Sequence, residues 1–88
     1  MSKQRIQMIR EGLVDLEPLD IQIEDEGHLH VGHAGAKSGG HFKLYIVSEC
    51  FKDMTHINRH KLIYNTLSDL MKTEIHALSI EAKSPNEL

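Results

Sequence analysis

Two short segments with the two-residue period of a β-strand flank a stretch rich in glycine and histidine. Residues 19–24 alternate strictly between apolar and polar side chains, and residues 42–47 are rich in aromatic and β-branched side chains. Each pattern predicts a strand, and the first strand should have one buried face. The connection of about fifteen residues is much longer than an ordinary hairpin loop, and loops of that length are commonly either functional or disordered.

Helical patterns lie on both sides of these two segments. Ile6, Ile9 and Leu13 recur at the spacing of one helical face, and Pro18 cannot continue a helix. Thr55 is a suitable N-terminal cap for a longer helix over residues 56–71. The predicted apolar stripe of this helix comprises Ile57, His60, Tyr64, Leu67 and Met71, widened by Ile63 and Leu70.

A third strand is predicted over residues 74–82, in which His76, Leu78, Ile80 and Ala82 would share one face. The order helix, strand, strand, helix, strand predicts one small α/β domain spanning residues 1–88, with a long loop at about 26–40. In this fold a three-stranded mixed sheet is covered by helices on one face. The second and third strands, joined through a helix, are expected to be parallel with a right-handed crossover.

Composition narrows the class of protein. The net charge of −3 weighs against general electrostatic binding of nucleic acid, although a local basic face remains open. No apolar run approaches the roughly 18 residues that span a bilayer, and the first residues lack the pattern of a signal peptide, so we expect a cytoplasmic protein without a membrane partner. Cys50 is the only cysteine, which excludes an internal disulfide and a thiolate-only metal site within one chain; it is expected to be half-buried.

Histidines are concentrated in and beside the long loop. Imidazole can bind iron, zinc or copper, can respond to pH near neutrality, or can simply be solvated. The sequence contains no clear Ser/His/Asp, paired-carboxylate or phosphate-loop arrangement, so we expect a protein that is not an enzyme. His60, on the helical stripe, is expected to be a hydrogen-bonded core residue. The histidines of the loop region are His28, His30, His33 and His41, of which the first and last are expected to be structural or incidental.

Three motifs occur in an order that resembles the signature of the BolA-like proteins. They are HFKLYIVS at residues 41–48, NRHKLIY at residues 58–64 and IHALSI at residues 75–80, with Phe51 after the first. The resemblance extends from about Ile6 to Pro85. It implies a fold related to the class II KH domain, in agreement with the predicted order of helices and strands. The Gly-x-x-Gly clamp with which true KH domains hold nucleic acid has no convincing counterpart in this sequence.

The resemblance implies a partner of monothiol glutaredoxins in the assembly, transfer or regulation of iron–sulfur clusters. In such a heterodimer a two-iron two-sulfur cluster is shared, with a cysteine and a glutathione thiol from the glutaredoxin side and histidine from the BolA-like side. The matching C-terminal histidine is His76. The loop ligand corresponds most naturally to His30, counting forward from Asp25 and Glu26. Because the loop departs in length from that of relatives with a shorter form, His33 competes with His30, and His28 is a less favoured alternative. No cluster is expected in the isolated chain, which would be a monomer or a weak homodimer.

Two other functions remain open at the level of sequence. Some BolA-like proteins are proposed to regulate transcription, and a nucleic-acid site would use the basic residues Arg59, Lys61 and Lys43. A histidine-loop sensor of zinc, copper or pH would depend on His30 and His33 without a cluster. No ligand role is assigned to Cys50, which follows the second strand.

Overall fold

The computed structural model describes residues 2–26 and 40–88 of the chain. None of the helices in these two ranges combines the length and apolar character needed to cross a membrane. Short 3₁₀ turns follow the first helix, follow the second strand and end the chain. The main elements are α1 (Ser2–Gly12), β1 (Asp20–Asp25), β2 (Gly40–Val47), α2 (His56–Thr66), α3 (Ser68–Thr73) and β3 (Ile75–Lys83).

The three strands form one mixed sheet in the order β1–β2–β3. β1 is antiparallel to β2, with Ile23 opposite Leu44, and β2 is parallel to β3, with Leu44 opposite Ile80. The predicted fold class is therefore confirmed, including the parallel pairing of the second and third strands.

Strand periodicity places the apolar side chains on the face that the helices cover. Phe42, Leu44 and Ile46 alternate along β2 and are almost fully buried. Burial of each such side chain contributes about 1.5–3 kcal/mol. These residues pack in one core cluster with buried residues of β3, of α1 and α2 and of the positions that follow those helices; Ile21 and Ile23 of β1 are partly buried against it. The cluster includes Ile9, Leu13, Ile63, Leu67, Leu78 and Ala82.

The long helix predicted over residues 56–71 is in fact two helices. It is interrupted at Leu67, which ends α2 with a backbone near φ −98° and ψ 16°. Thr66 Oγ1 donates a hydrogen bond to the carbonyl of Leu62 over 2.7 Å, a local competition with the backbone that often bends helices.

The predicted buried stripe of this helix was partly wrong. Ile57 is 68% exposed and Tyr64 is 38% exposed, whereas Arg59 is buried together with Ile63 and Leu67. The buried face therefore follows a spacing of four residues that begins at an arginine. Sequence reasoning missed it because an arginine is rarely buried without a partner. His60, predicted to lie in the core, is half-buried.

The start of β3 departs from strict alternation. Gly40 is opposite Ile75, but His41 is opposite Ala77, so the pairing is shifted by one residue and His76 has no partner on β2. Ile75 and Leu78 are buried, while His76 is exposed. The prediction that His76 shares the buried face of Leu78, Ile80 and Ala82 is therefore wrong for His76, because an extra residue in a β-bulge reverses the side to which the preceding residues point.

Candidate functional site

The bulge lies at the edge of the sheet where β1 ends and β2 begins. The backbone N–H of Glu26 donates to the carbonyl of His41 over 2.7 Å, and the N–H of Gly40 donates to the carbonyl of Glu74 over 3.1 Å. Glu26 is thus bonded to the start of β2, and Gly40 is bonded to the residue that precedes β3. The exposed side chain of His76 stands at this edge because the bulge turns it away from the core.

His76 has a second histidine beside it. The ring centroids of His41 and His76 are 4.9 Å apart, and the planes are tilted by 42°. His41 is half-buried and His76 is exposed. Sequence reasoning treated His41 as structural or incidental, yet a signal for the pair was available, because parallel strands begin at the same edge of a sheet. We define His41 and His76 as the histidine pair.

The donor set of the histidine pair fits an iron, zinc or copper ion, since neutral imidazole is a common ligand for all three. Within residues 2–26 and 40–88 no group of three or more histidine, cysteine or acidic side chains is arranged to hold a metal ion. Any further ligands would come from outside these residues, from solvent or from a partner. An exposed imidazole at a sheet edge is accessible to a group that a partner carries.

The loop histidines lie outside the described residues. This applies to His28 and to both predicted loop ligands, His30 and His33. The choice between His30 and His33 as the companion of His76 therefore stays a prediction.

Arg59, predicted to be available to nucleic acid, is only 3% exposed. Its Nη1 donates to the carboxylate of Glu87 over 2.6 Å and to the carbonyl of Ala82 over 3.0 Å, and its Nε donates to the carbonyl of Met54 over 3.1 Å. Hydrogen bonding to the Glu87 carboxylate raises the pKa of Arg59 above its usual value, so the cation is retained inside the fold. This placement does not support a phosphate-binding role for Arg59.

The other two residues of the nucleic-acid alternative, Lys43 and Lys61, are exposed but separate. Lys43 points to the open face of the sheet, whereas Lys61 lies on α2, which packs on the opposite face. A shallow cleft on the open face includes Lys43 together with the carboxylates of Glu24 and Glu81. Two acidic groups beside one ammonium make a poor surface for a phosphate backbone.

Cys50 is exposed, not half-buried as predicted. It lies in the 3₁₀ turn Glu49–Phe51, where its backbone N–H donates to Ser48 Oγ over 3.2 Å. This turn follows the C-terminal end of β2, whereas His41 lies near the N-terminal end of the same strand. The thiol is therefore not part of the histidine pair.

Comparison with known proteins points to one family. The family described as BolA-like protein matches residues 13–87 of the chain. The chain is 43% identical over 77 residues to Protein BOLA1, chloroplastic, of Arabidopsis thaliana, an alignment that covers 83% of this chain and 48% of the relative. It is 41% identical over 87 residues to the SufE-like protein 1, chloroplastic/mitochondrial, of the same plant, covering 91% of this chain and 24% of that relative. The chain thus spans half or less of the length of these two curated relatives.

A bacterial relative and a solved structure agree with this result. The chain is 38% identical over 73 residues to the DNA-binding transcriptional regulator BolA of Haemophilus influenzae, which covers 83% of this chain and 69% of the relative. The solved BolA domain of SufE1 from Arabidopsis thaliana superposes with a TM-score of 0.82 at 43% identity, covering 93% of each chain.

Proposed function

The chain belongs to the BolA-like protein family, and we propose that it is a non-enzymatic, cytoplasmic partner of a monothiol glutaredoxin in the assembly or transfer of a two-iron two-sulfur cluster. The observation that carries this proposal is the exposed His76 at the β-bulge, beside His41 and at the end of the sheet where β2 begins. A histidine in this position can reach a metal group that a second protein presents at the sheet edge.

The chemistry of histidine suits a cluster that is to be passed on. Substitution of imidazole for thiolate on a cluster iron raises the reduction potential and adds a site that can be protonated. We propose that the glutaredoxin supplies one cysteine and a bound glutathione thiol, and that this chain supplies His76 and either His30 or His33. The cluster is then cargo shared by the heterodimer, held less firmly on the histidine side than on the thiolate side.

The proposal is tested by assembling the cluster in the presence of both proteins. The chain is mixed with a monothiol glutaredoxin, iron, sulfide and glutathione, and the visible absorption and circular dichroism spectra are recorded. We expect a spectrum that differs from that of the glutaredoxin alone and that is lost with His76→Ala. His30→Ala and His33→Ala, tested separately, identify the loop ligand.

The matched control is His56→Ala, which removes an exposed histidine at the start of α2. It should leave the spectrum of the heterodimer unchanged. A spectrum that matches the glutaredoxin alone and does not respond to His76→Ala would overturn the proposal.

A second candidate function is regulation of transcription by binding DNA, favoured by the name of the Haemophilus influenzae relative. Here the contacts would come from Lys43 and Lys61, since Arg59 is buried. Binding to duplex DNA should weaken steeply as salt rises, and Lys43→Gln or Lys61→Gln should reduce that salt dependence. The absence of binding at low salt would eliminate this function.

A further inference from the structure

The spacing of the histidine pair matches the spacing of two imidazoles on one metal ion. With a metal–nitrogen bond of about 2.05 Å, the centroid of a bound ring lies about 3.2 Å from the ion, and two rings at a near-tetrahedral angle have centroids about 5 Å apart. The centroids of His41 and His76 are separated by 4.9 Å. The centroid separation of the pair is therefore compatible with one shared ion.

The backbone holds both rings on the sheet. His41 belongs to β2, and His76 is the bulged residue at the start of β3, on the neighbouring parallel strand. Ligands fixed on paired strands lose less conformational freedom on binding than ligands in an irregular segment. Because His76 is exposed, an ion has access from solvent and water can complete its coordination.

We propose that His41 and His76 bind one divalent transition-metal ion of the imidazole-preferring class, represented by Zn²⁺ and Cu²⁺, in the isolated chain. This inference goes beyond the proposed function because it requires no glutaredoxin and no cluster. Copper should bind more tightly than zinc, following the usual order of affinities for nitrogen ligands. Since His76 belongs to both sites, the divalent ion and the cluster would exclude one another.

The test is a Zn²⁺ titration of the full chain in competition with a chromophoric chelator. It is carried out in a background in which His28, His30 and His33 are replaced by Asn, so that the loop contributes no imidazole. We expect binding to persist in this background. His41→Ala or His76→Ala should each weaken it by at least about tenfold, since loss of outer-shell groups alone often costs that much.

The double variant separates a shared ion from two independent sites. If one ion needs both rings, His41→Ala/His76→Ala should bind no more weakly than the weaker single variant, because the second substitution removes an interaction that is already lost. His56→Ala is the control and should retain full affinity. Amide NMR spectra establish that each variant is folded, and His41→Asn provides a polar replacement.

Three results would overturn the inference. They are loss of Zn²⁺ binding when the three loop histidines are replaced by Asn, unchanged Zn²⁺ affinity in both folded single variants, and additive losses of Zn²⁺ affinity in the double variant. The titration contains no glutaredoxin. Its failure therefore leaves the cluster proposal intact, and failure of the cluster assembly experiment leaves this inference intact.

Discussion

Arg59 and Glu87 form a two-point ion pair that links the C-terminal turn to α2. The Nη1 atom of Arg59 lies 2.6 Å from Oε1 of Glu87, and Nη2 lies 2.7 Å from Oε2. Glu87 also accepts a hydrogen bond from the backbone N–H of Ser84 over 3.0 Å. Among the described residues, Arg59 is the one charged residue that is buried, and its charge is neutralised by a carboxylate 28 positions later in the chain.

Arg59→Met should destabilise the fold while preserving most of the side-chain volume. The buried carbonyl of Ala82 loses its hydrogen bond from Nη1, and an unsatisfied buried acceptor costs about 1–3 kcal/mol in the free energy of unfolding. Urea denaturation measures this change. Lys61→Met, on an exposed position of the same helix, is the control and should change the free energy by less than about 0.5 kcal/mol. Equal effects of the two substitutions would contradict the assigned role of Arg59.

The stability contributed by Glu87 should depend on pH. Hydrogen bonding from Arg59, followed by that from the Ser84 N–H, lowers the pKa of Glu87 from 4.5 to about 2. The folded state therefore holds this proton less tightly than the unfolded state, so the contribution is complete above about pH 4.5 and is lost as the pH falls towards 2. The difference in Tm between the unmodified chain and Glu87→Gln should shrink across that interval.

Removal of Arg59 supplies the control for this pH dependence. In an Arg59→Met background the largest cause of the lowered pKa is gone and the hydrogen bond from the Ser84 N–H remains, so adding Glu87→Gln should produce a smaller pH-dependent difference between pH 4.5 and 2 than it does in the unmodified chain. A difference that persists with the same pH profile would assign the effect to another carboxylate.

Local patterns were sufficient to locate the strands, but they were not sufficient for the bulge in β3 or for the buried face of the second helix. The two-residue alternation that begins at Leu19 placed β1 within one residue of its observed position, because the period depends only on neighbouring side chains. Burial of Arg59 depends on Glu87, which a helical window centred on Arg59 does not include. The bulge at His76 likewise depends on the register between β2 and β3, which no single strand encodes.

Of the two residues of the histidine pair, the sequence pointed to one, His76, as a candidate ligand. The resemblance identified His76, and the expected parallel pairing of β2 and β3 would have brought His41 to the same edge, had the two been combined. What remained hidden was the exposure of His76, since strict alternation assigned it to the buried face. The bulge changes that face, and with it the availability of the imidazole.

Tyr64→Phe should weaken the contact between α2 and the outer edge of β3. The Tyr64 hydroxyl donates to the carbonyl of Leu78 over 3.0 Å. Successive backbone carbonyl groups along a strand point to opposite sides. The carbonyl of Lys83 points towards β2, because it accepts a hydrogen bond from the backbone N–H of Ser48, which follows β2. The carbonyl of Leu78, five residues earlier, therefore points away from β2. Loss of this hydrogen bond should cost about 0.5–1.5 kcal/mol by urea denaturation.

Tyr64 also bears on self-association, because an uncovered strand edge can pair with a second chain. The Tyr64→Ala protein should self-associate, so that its sedimentation coefficient increases with protein concentration. The Tyr45→Ala protein, changed on the open face of β2, should show no such increase. Concentration-independent sedimentation of a folded Tyr64→Ala protein would show that the side chain does not protect this edge.

Gly40→Ala should disturb both stability and the histidine pair. A Cβ atom at Gly40 would lie 2.6 Å from Cζ of Phe42 and closer still to Cε2, and this ring is buried in the core. Overpacking of this kind costs about 1–3 kcal/mol, measurable by urea denaturation. Because Gly40 pairs with Ile75 immediately before the bulge, its displacement should also shift the ring NMR signals of His41 and His76.

The control for Gly40→Ala is Gly12→Ala, at the end of α1. There the new Cβ would lie 2.9 Å from Cδ2 of Leu67, the end of a flexible side chain, and the gain of up to about 1 kcal/mol in helix propensity offsets the contact. Gly12→Ala should therefore be close to neutral and leave both histidine signals in place. If Gly40→Ala is tolerated equally well, the Phe42 ring can move aside, and glycine at position 40 is not needed for the bulge that exposes His76.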